Sequence, residues 1–280
     1  MGDRGEFFPC GSRRLYGFLH EPRATEAPLA VAPAAVVFVH PFMEERQDAH
    51  PFLRSIAGQV SARGLWAMRF DLHGCGDSEG EWEDATVASW LDDIRAACDF
   101  VRAQSGVERV ILCGLRFGAT LAALADIGGP RPPLAMIQPV VKGTNYSMDM
   151  LRAYLAAEMV LTRKAGVSRD ALIERLRLGE TVNVFGYHLT AAQFDGIRAI
   201  DLSRTLASYP ARSLVIDVVK TPSARASNEL TALVAAMGPG ATLARAVEPQ
   251  PLYAEGKVHL TRAEQVELAL LGWLEALDQP

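Results

Sequence analysis

Between Ala35 and Val247, strand-sized apolar runs alternate with segments whose apolar residues recur at helical spacing, and this alternation restricts the fold more than any other feature. Ala35-Val-Val-Phe-Val39 is continuous and β-branched, as a strand buried on both faces requires. Comparable runs cover 65–70, 109–113, 134–141, 212–219 and 243–247, after an opening hairpin over 6–20. Helices are expected over 47–63, stopped by Gly64, and from Thr86 through Val87, Trp90, Ile94, Ala97, Cys98 and Val101 to a C-cap at Gly106. Two more are expected over 119–126 and after Thr261, which makes a capping box with Glu264; Val266, Leu270, Trp273, Leu274 and Leu277 form the core face of the last. Strands alternating with helices at this period imply a mostly parallel central sheet with helices on both faces.

Residues between 141 and 212 differ in character. They hold helix-forming stretches at 148–164 and 168–178, the second bracketed by Ser168 and Gly179, with no strand-period alternation. An insertion there stands over the carboxyl ends of the strands, where open parallel sheets place ligands, and reads as a helical lid. The chain therefore divides into a first core part at 1–142, a lid at 143–210 and a second core part at 211–280.

Composition narrows the function. The net charge of −5 offers no basic field to nucleic acid or anionic lipid. The longest apolar runs fall far short of the roughly 20 residues that cross a bilayer, and the charged start of the chain does not resemble a signal peptide. Cys10, Cys75, Cys98 and Cys113 have neither a C-x-x-C nor a metal spacing, which points to the reducing cytoplasm, without disulfides or a metal. With no phosphate-binding glycine loop or dinucleotide fingerprint, no cofactor is implied. The expected partner is a small molecule, and a homodimer is left open.

The run 109–113 leads into Gly114-Leu-Arg-Phe-Gly118 and then an Ala-rich helix. Strand, G-x-x-x-G, helix is the context of the nucleophile elbow of α/β-hydrolases, and the landmarks of that fold follow in order. His40-Pro41-Phe42 stands where the oxyanion loop belongs, and His259 precedes the last helix. More narrowly, Pro41-Phe-Met-Glu-Glu45, Asp71-Leu-His-Gly-Cys-Gly-Asp-Ser78, Trp90-Leu-Asp-Asp93, Gly114-Leu-Arg-Phe-Gly118 and Gln138-Pro139 resemble the exosortase A system-associated hydrolase 2 family. The resemblance implies an α/β-hydrolase fold and an association with bacterial envelope-protein sorting and exopolysaccharide export; hydrolase in that family's name reflects fold rather than established chemistry. Residues 46–50 and His73 are less typical of it, which suits a relative recruited to another pathway, such as secondary-metabolite assembly.

Arg116 occupies the position where such folds keep serine, cysteine or aspartate. A guanidinium holds its proton above pH about 12 and cannot attack a carbonyl. Loss of a serine nucleophile costs about 10⁶ in turnover, which closes the usual acyl-enzyme route. The stretch 220–228 carries no carboxylate, so His259 lacks an orienting acid unless Glu229 or Glu255 substitutes, and is either catalytic or a hydrogen-bonded loop histidine. Arg116, beside the backbone amides of Phe42 and Phe117, is either a carboxylate or phosphate receptor or the partner of Glu44 or Glu45 in an internal ion pair, and the two roles can coexist. Glu44 and Glu45 are expected in a loop, one inward and one solvated, with Arg116 depressing the inward one's pKa. Cys75 is the alternative nucleophile, in a loop that otherwise serves as a structural turn; His40 and Gln138 complete the expected substrate-binding set.

Overall fold

β1 (Arg4–Cys10) and β2 (Arg13–His20) form the expected hairpin, turning at Gly11 with φ 59°. β3 (Ala35–Val39), β4 (Trp66–Phe70), β5 (Val110–Leu115), β6 (Leu134–Ile137), β9 (Ser213–Val219) and β10 (Ala241–Val247) extend the sheet. The structure, a computed structural model, describes residues 3–24, 28–29, 31–162, 166–248 and 262–279. Among them the sheet has eight strands in the order β1-β2-β4-β3-β5-β6-β9-β10, with every pair from β4 to β10 parallel.

Helices cover both faces, as the continuous apolar runs require. Ala35, Val37 and Val39 of β3 pack into the core under α2 (Val87–Ser105), α3 (Phe117–Leu124) and α8 (Asn228–Met237). Val36 and Phe38 point the other way, into the core under α1 (Glu44–Ser61) and α9 (Glu264–Glu275). Gly106 caps α2 in the left-handed conformation at φ 68°. The five residues named for the face of α9 are all buried.

Several boundaries differ from expectation for local reasons. α1 starts at Glu44 rather than Gln47, drawing both glutamates into its first turn, where the helix dipole favours them. β6 stops at Ile137 because Gln138 takes φ 48° ahead of Pro139. α9 has Ala263 at its N-cap with no side-chain cap, and Thr261 lies outside the described residues. Glu248, at the end of β10, substitutes: its Oε1 accepts from the N–H groups of Gln265 at 2.9 Å and Val266 at 3.3 Å.

The insertion between β6 and β9 contains α4 (Gly143–Thr162), α5 (Arg169–Arg177), α6 (Ala191–Arg198) and α7 (Leu202–Thr205). Ser168 caps α5 as expected, accepting from the Ala171 N–H. It also contains a hairpin, β7 (Val182–Val184) with β8 (Tyr187–Leu189), contrary to the expectation of no strands. Three residues are too few to display a period of two. Its tight turn places Phe185 at φ 52° and Gly186 at φ 92°, the paired positive values of a type I′ turn.

Rings tie the insertion to the core. Tyr146 of α4 stacks on Phe117 at 5.6 Å, Phe117 meets Phe42 at 5.2 Å, Phe42 meets Trp82 at 5.0 Å, and Trp82 meets Tyr187 of β8 at 5.0 Å.

Two glycines test the packing in opposite directions. A Cβ at Gly118 would lie 2.1 Å from the His40 carbonyl oxygen, whereas one at Gly58 inside α1 meets nothing within 4 Å. Gly118→Ala is expected to destabilise by at least the 1–3 kcal/mol of ordinary overpacking. Gly58→Ala is expected to stabilise by about 0.5–1 kcal/mol. Urea denaturation of both variants checks the contrast.

Candidate active site

The carboxyl ends of β3, β5 and β6 lie side by side, so the connections leaving them converge on one crevice. Arg116 leaves β5 at φ 55° and ψ −124°, a strained conformation for a residue with a side chain. The surrounding backbone holds it: the Arg116 N–H donates to the Ile137 carbonyl at 2.9 Å, and the Ala119 N–H donates to the Arg116 carbonyl at 3.0 Å. Gly114 and Gly118 make the turn passable, since a Cβ at Gly114 would lie 2.5 Å from the Ala119 nitrogen. The bend of a nucleophile elbow is thus intact, with a guanidinium on it. Phe117 opens α3, so its N–H is one of the helix's unsatisfied amino-terminal donors.

The guanidinium turns to Glu45. Arg116 Nε and Nη2 each donate to Glu45 Oε1 at 3.2 Å, and the cation lies 5.8 Å from the centre of the Tyr146 ring. Glu45 Oε2 is shut off from solvent and has no hydrogen-bond partner among the described residues. The expectation that one glutamate is solvated does not hold: Glu44 and Glu45 are both half-buried on the first turn of α1. Nor does Arg116 hold the Glu45 pKa down. Burial pushes it up to about 7, and the charges of Glu44 and Asp48 add to that rise, against the pull of Arg116.

A cavity of about 210 Å³ opens on this pair, lined by Glu44, Glu45, Arg116, Tyr146, Asp149 and Phe185 among others. Phe42 borders it as well as the ring cluster beneath. Tyr146, whose hydroxyl is pushed well above its ordinary pKa by burial, was not expected from sequence; it sits one α4 turn from the start of the insertion, and only the fold brings it over Arg116.

The remaining candidates lie elsewhere. His40 is buried with both ring nitrogens engaged: one contacts the Pro41 carbonyl at 2.6 Å, and the other accepts from the Leu72 N–H at 3.2 Å. Burial, reinforced by the Arg46 charge, takes its pKa down to about 4, so it is a neutral brace between two loops. Gln138 likewise ties β6 to β9, its side-chain oxygen accepting from the Val218 N–H at 2.7 Å. Cys75 lies with Leu72, Trp82 and Trp90 around a narrow apolar void, not on the Arg116 cavity, and burial pushes its thiol up to about 12. Its loop is the structural turn expected: Ser78 Oγ donates to the Asp71 carbonyl, and the Asp77 N–H donates to the Asp71 carboxylate. Asp217 lies inside β9 and accepts from the Ser227 N–H, and Glu229 is exposed on the first turn of α8. His259 and Glu255 lie outside the described residues. Among those residues no group of three or more metal-ligating side chains occurs, and no helix is long and apolar enough to cross a membrane.

This is the architecture of an α/β-hydrolase, and comparison with known proteins agrees. The family model described as serine aminopeptidase, S33 matches residues 31–232, and the chain belongs to that family. Proline iminopeptidase from Mycobacterium smegmatis superposes with a TM-score of 0.63 at 17% identity, over 98% of this chain and 99% of that one. Est1E from Butyrivibrio proteoclasticus, solved with ferulic acid, gives 0.64 at 18% identity, over 96% of each chain. The thioesterase domain of the curacin biosynthetic pathway gives 0.53 at 14% identity, over 89% of this chain and 94% of that one. No curated protein matches the chain.

The raised Glu45 pKa has a sign that can be checked. The folded state binds this proton more tightly than the unfolded chain, so stability is greatest below the ordinary glutamate range and falls as pH rises from about 4.5 through about 7. Glu45→Gln removes that fall. Relative to the parent, the variant's melting temperature is expected to climb across this window, and a flat difference in calorimetric scans contradicts the assignment.

Proposed function

We propose that this protein holds a small carboxylate- or acyl-bearing molecule between the elbow and the insertion, with Arg116 as its receptor, and that it forms no acyl-enzyme. The observation that carries this reading is a guanidinium on an intact elbow, bonded to a carboxyl that titrates near neutrality. An incoming carboxylate takes the place of Glu45 on the Arg116 fork or bridges the pair, and Glu45 donates its proton to the ligand or withdraws one from it. A pKa near 7 suits that exchange at neutral pH. The cavity, below the 300 Å³ or so of drug-sized pockets, favours a short acid. In this reading 143–210 is a lid, and the activity is non-hydrolytic, such as positioning a substrate for cyclisation, elimination or acyl transfer, or else accessory. The narrower resemblance to the exosortase A system-associated hydrolase 2 family belongs to the same reading.

The competing reading is an esterase, thioesterase or acyltransferase that activates water or an acceptor in this cavity. Family membership favours it, while the neutral thiol of Cys75 argues against a cysteine nucleophile.

Calorimetric titration with hexanoate is expected to show binding that Arg116→Ala weakens at least tenfold while unfolding stays cooperative. A fluorophosphonate probe should leave the protein unlabelled, and Arg116→Ser should hydrolyse p-nitrophenyl butyrate no faster than the parent. Stoichiometric labelling, or an acyl adduct on Cys75 found by mass spectrometry after incubation with an activated thioester, overturns the reading.

A further inference from the structure

On the α1 side of the sheet, away from the elbow, a second and larger cavity of about 420 Å³ opens between β2, β4 and α1. β2 lies outside β4 in the sheet, and Tyr16 and Phe18 of β2 line the gap. Its wall carries both signs, Arg46, Arg54 and Arg69 with Asp3, Asp71 and Asp77. Arg69 of β4 lies 5.1 Å from the Phe18 ring centre, donates through Nε to His20 Nε2 at 3.2 Å, and sets Nη1 3.4 Å from His50 Nε2. Arg54 of α1 shares the cavity.

What Arg69 lacks is a direct ion pair. Among the described residues no carboxylate pairs with Arg69 or Arg54, although most other arginines around the sheet have one: Arg46 is bonded to Asp71 at 2.5 Å and Arg23 to Asp3 at 3.3 Å. Of the three carboxylates that line the cavity, Asp71 is engaged with Arg46 and Asp3 with Arg23 and with His20 Nδ1 at 3.1 Å, while Asp77 is exposed. A half-buried guanidinium facing imidazole nitrogens, with a second guanidinium nearby, is an unfavourable arrangement for an empty pocket. Desolvation and the Arg54 charge pull the Arg69 pKa down against the opposing pull of Asp71 and Asp3, and burial, reinforced by Arg69, disfavours protonation of His20 and His50. An oxyanion between the two arginines would relieve all of these strains, accepting from both guanidinium forks and making protonation of the histidines favourable.

We propose that this cavity is a binding site for a small phosphate ester, its oxyanion held by Arg54 and Arg69 with His50, and its organic part lying against Tyr16 and Phe18. The volume falls within the 300–1,000 Å³ of small-molecule pockets, and the floor is aromatic where the wall is charged. The site is separate from the Arg116 cavity and does not depend on the function proposed for it.

The full-length protein titrated with phenyl phosphate and with inorganic phosphate tests the proposal. Phenyl phosphate is expected to bind in the micromolar range and to raise the melting temperature. Arg54→Ala, on the exposed rim, should weaken it at least tenfold, Arg69→Gln should abolish it, and Arg116→Ala should leave it unchanged. Tenfold or better preference over inorganic phosphate identifies an ester as the occupant; equal affinity overturns the ester and leaves free phosphate. Absence of saturable binding up to 10 mM of either probe, or binding that Arg54→Ala leaves intact, overturns the site. Should Arg69→Gln unfold, Arg54→Ala and His50→Ala carry the decision, the latter expected to lose at least threefold.

Discussion

The geometry of this molecule turns on one residue held in two ways. The Arg116 backbone sits at φ 55°, a conformation that costs about 1–3 kcal/mol in a residue with a side chain and persists only where its surroundings impose it. Bonds to the Ile137 carbonyl and from the Ala119 amide supply that imposition, and the glycines on either side allow α3 to approach β3 and β5. The side chain then reaches across the crevice to Glu45, fixing the start of α1 against the end of β5. Removing either partner would leave the other's charge or dipole in a poorly solvated place, which is destabilising well beyond the value of the pair itself.

The electrostatics of the pair come from competition rather than from contact alone. Proximity to a cation ordinarily lowers a carboxyl's pKa, and Arg116 does pull in that direction. Burial wins, and it is joined by Glu44 on the same helical turn and Asp48 one turn later. The outcome is a carboxyl near neutrality held at a fixed distance from a permanent cation. In the function proposed above, that combination is what binds an anion and trades a proton with it.

Much of this was legible in the chain. Continuous apolar runs marked the buried strands, and the elbow announced itself because its signal is local: a strand, two glycines four apart and an Ala-rich helix. The partner of Arg116 was narrowed to Glu44 or Glu45, but which one depended on where α1 begins, and a three-residue shift of a helix start changes which side chains face inward. His40 and Gln138 are engaged by backbone amides distant in sequence, that of Leu72 just past β4 and that of Val218 within β9, and no local signal in the chain marks those pairings. Tyr146 and the β7–β8 hairpin left no readable mark: one is an unremarkable helical position, the other too short to show its period. The second cavity was equally silent, since His20, His50, Arg54 and Arg69 come from three elements that only the sheet order brings together.

The chain of rings from Tyr146 through Phe117, Phe42 and Trp82 to Tyr187 begins and ends in the insertion and passes through the core between. The insertion is therefore bolted down at two separated points. Swinging it away as a rigid flap would part both terminal ring contacts at once, each worth about 0.5–1.5 kcal/mol beyond its buried area. Phe185 and Met150, which line the Arg116 cavity, belong to the same anchored insertion, so a rigid swing that uncovered the cavity would have to break both anchors.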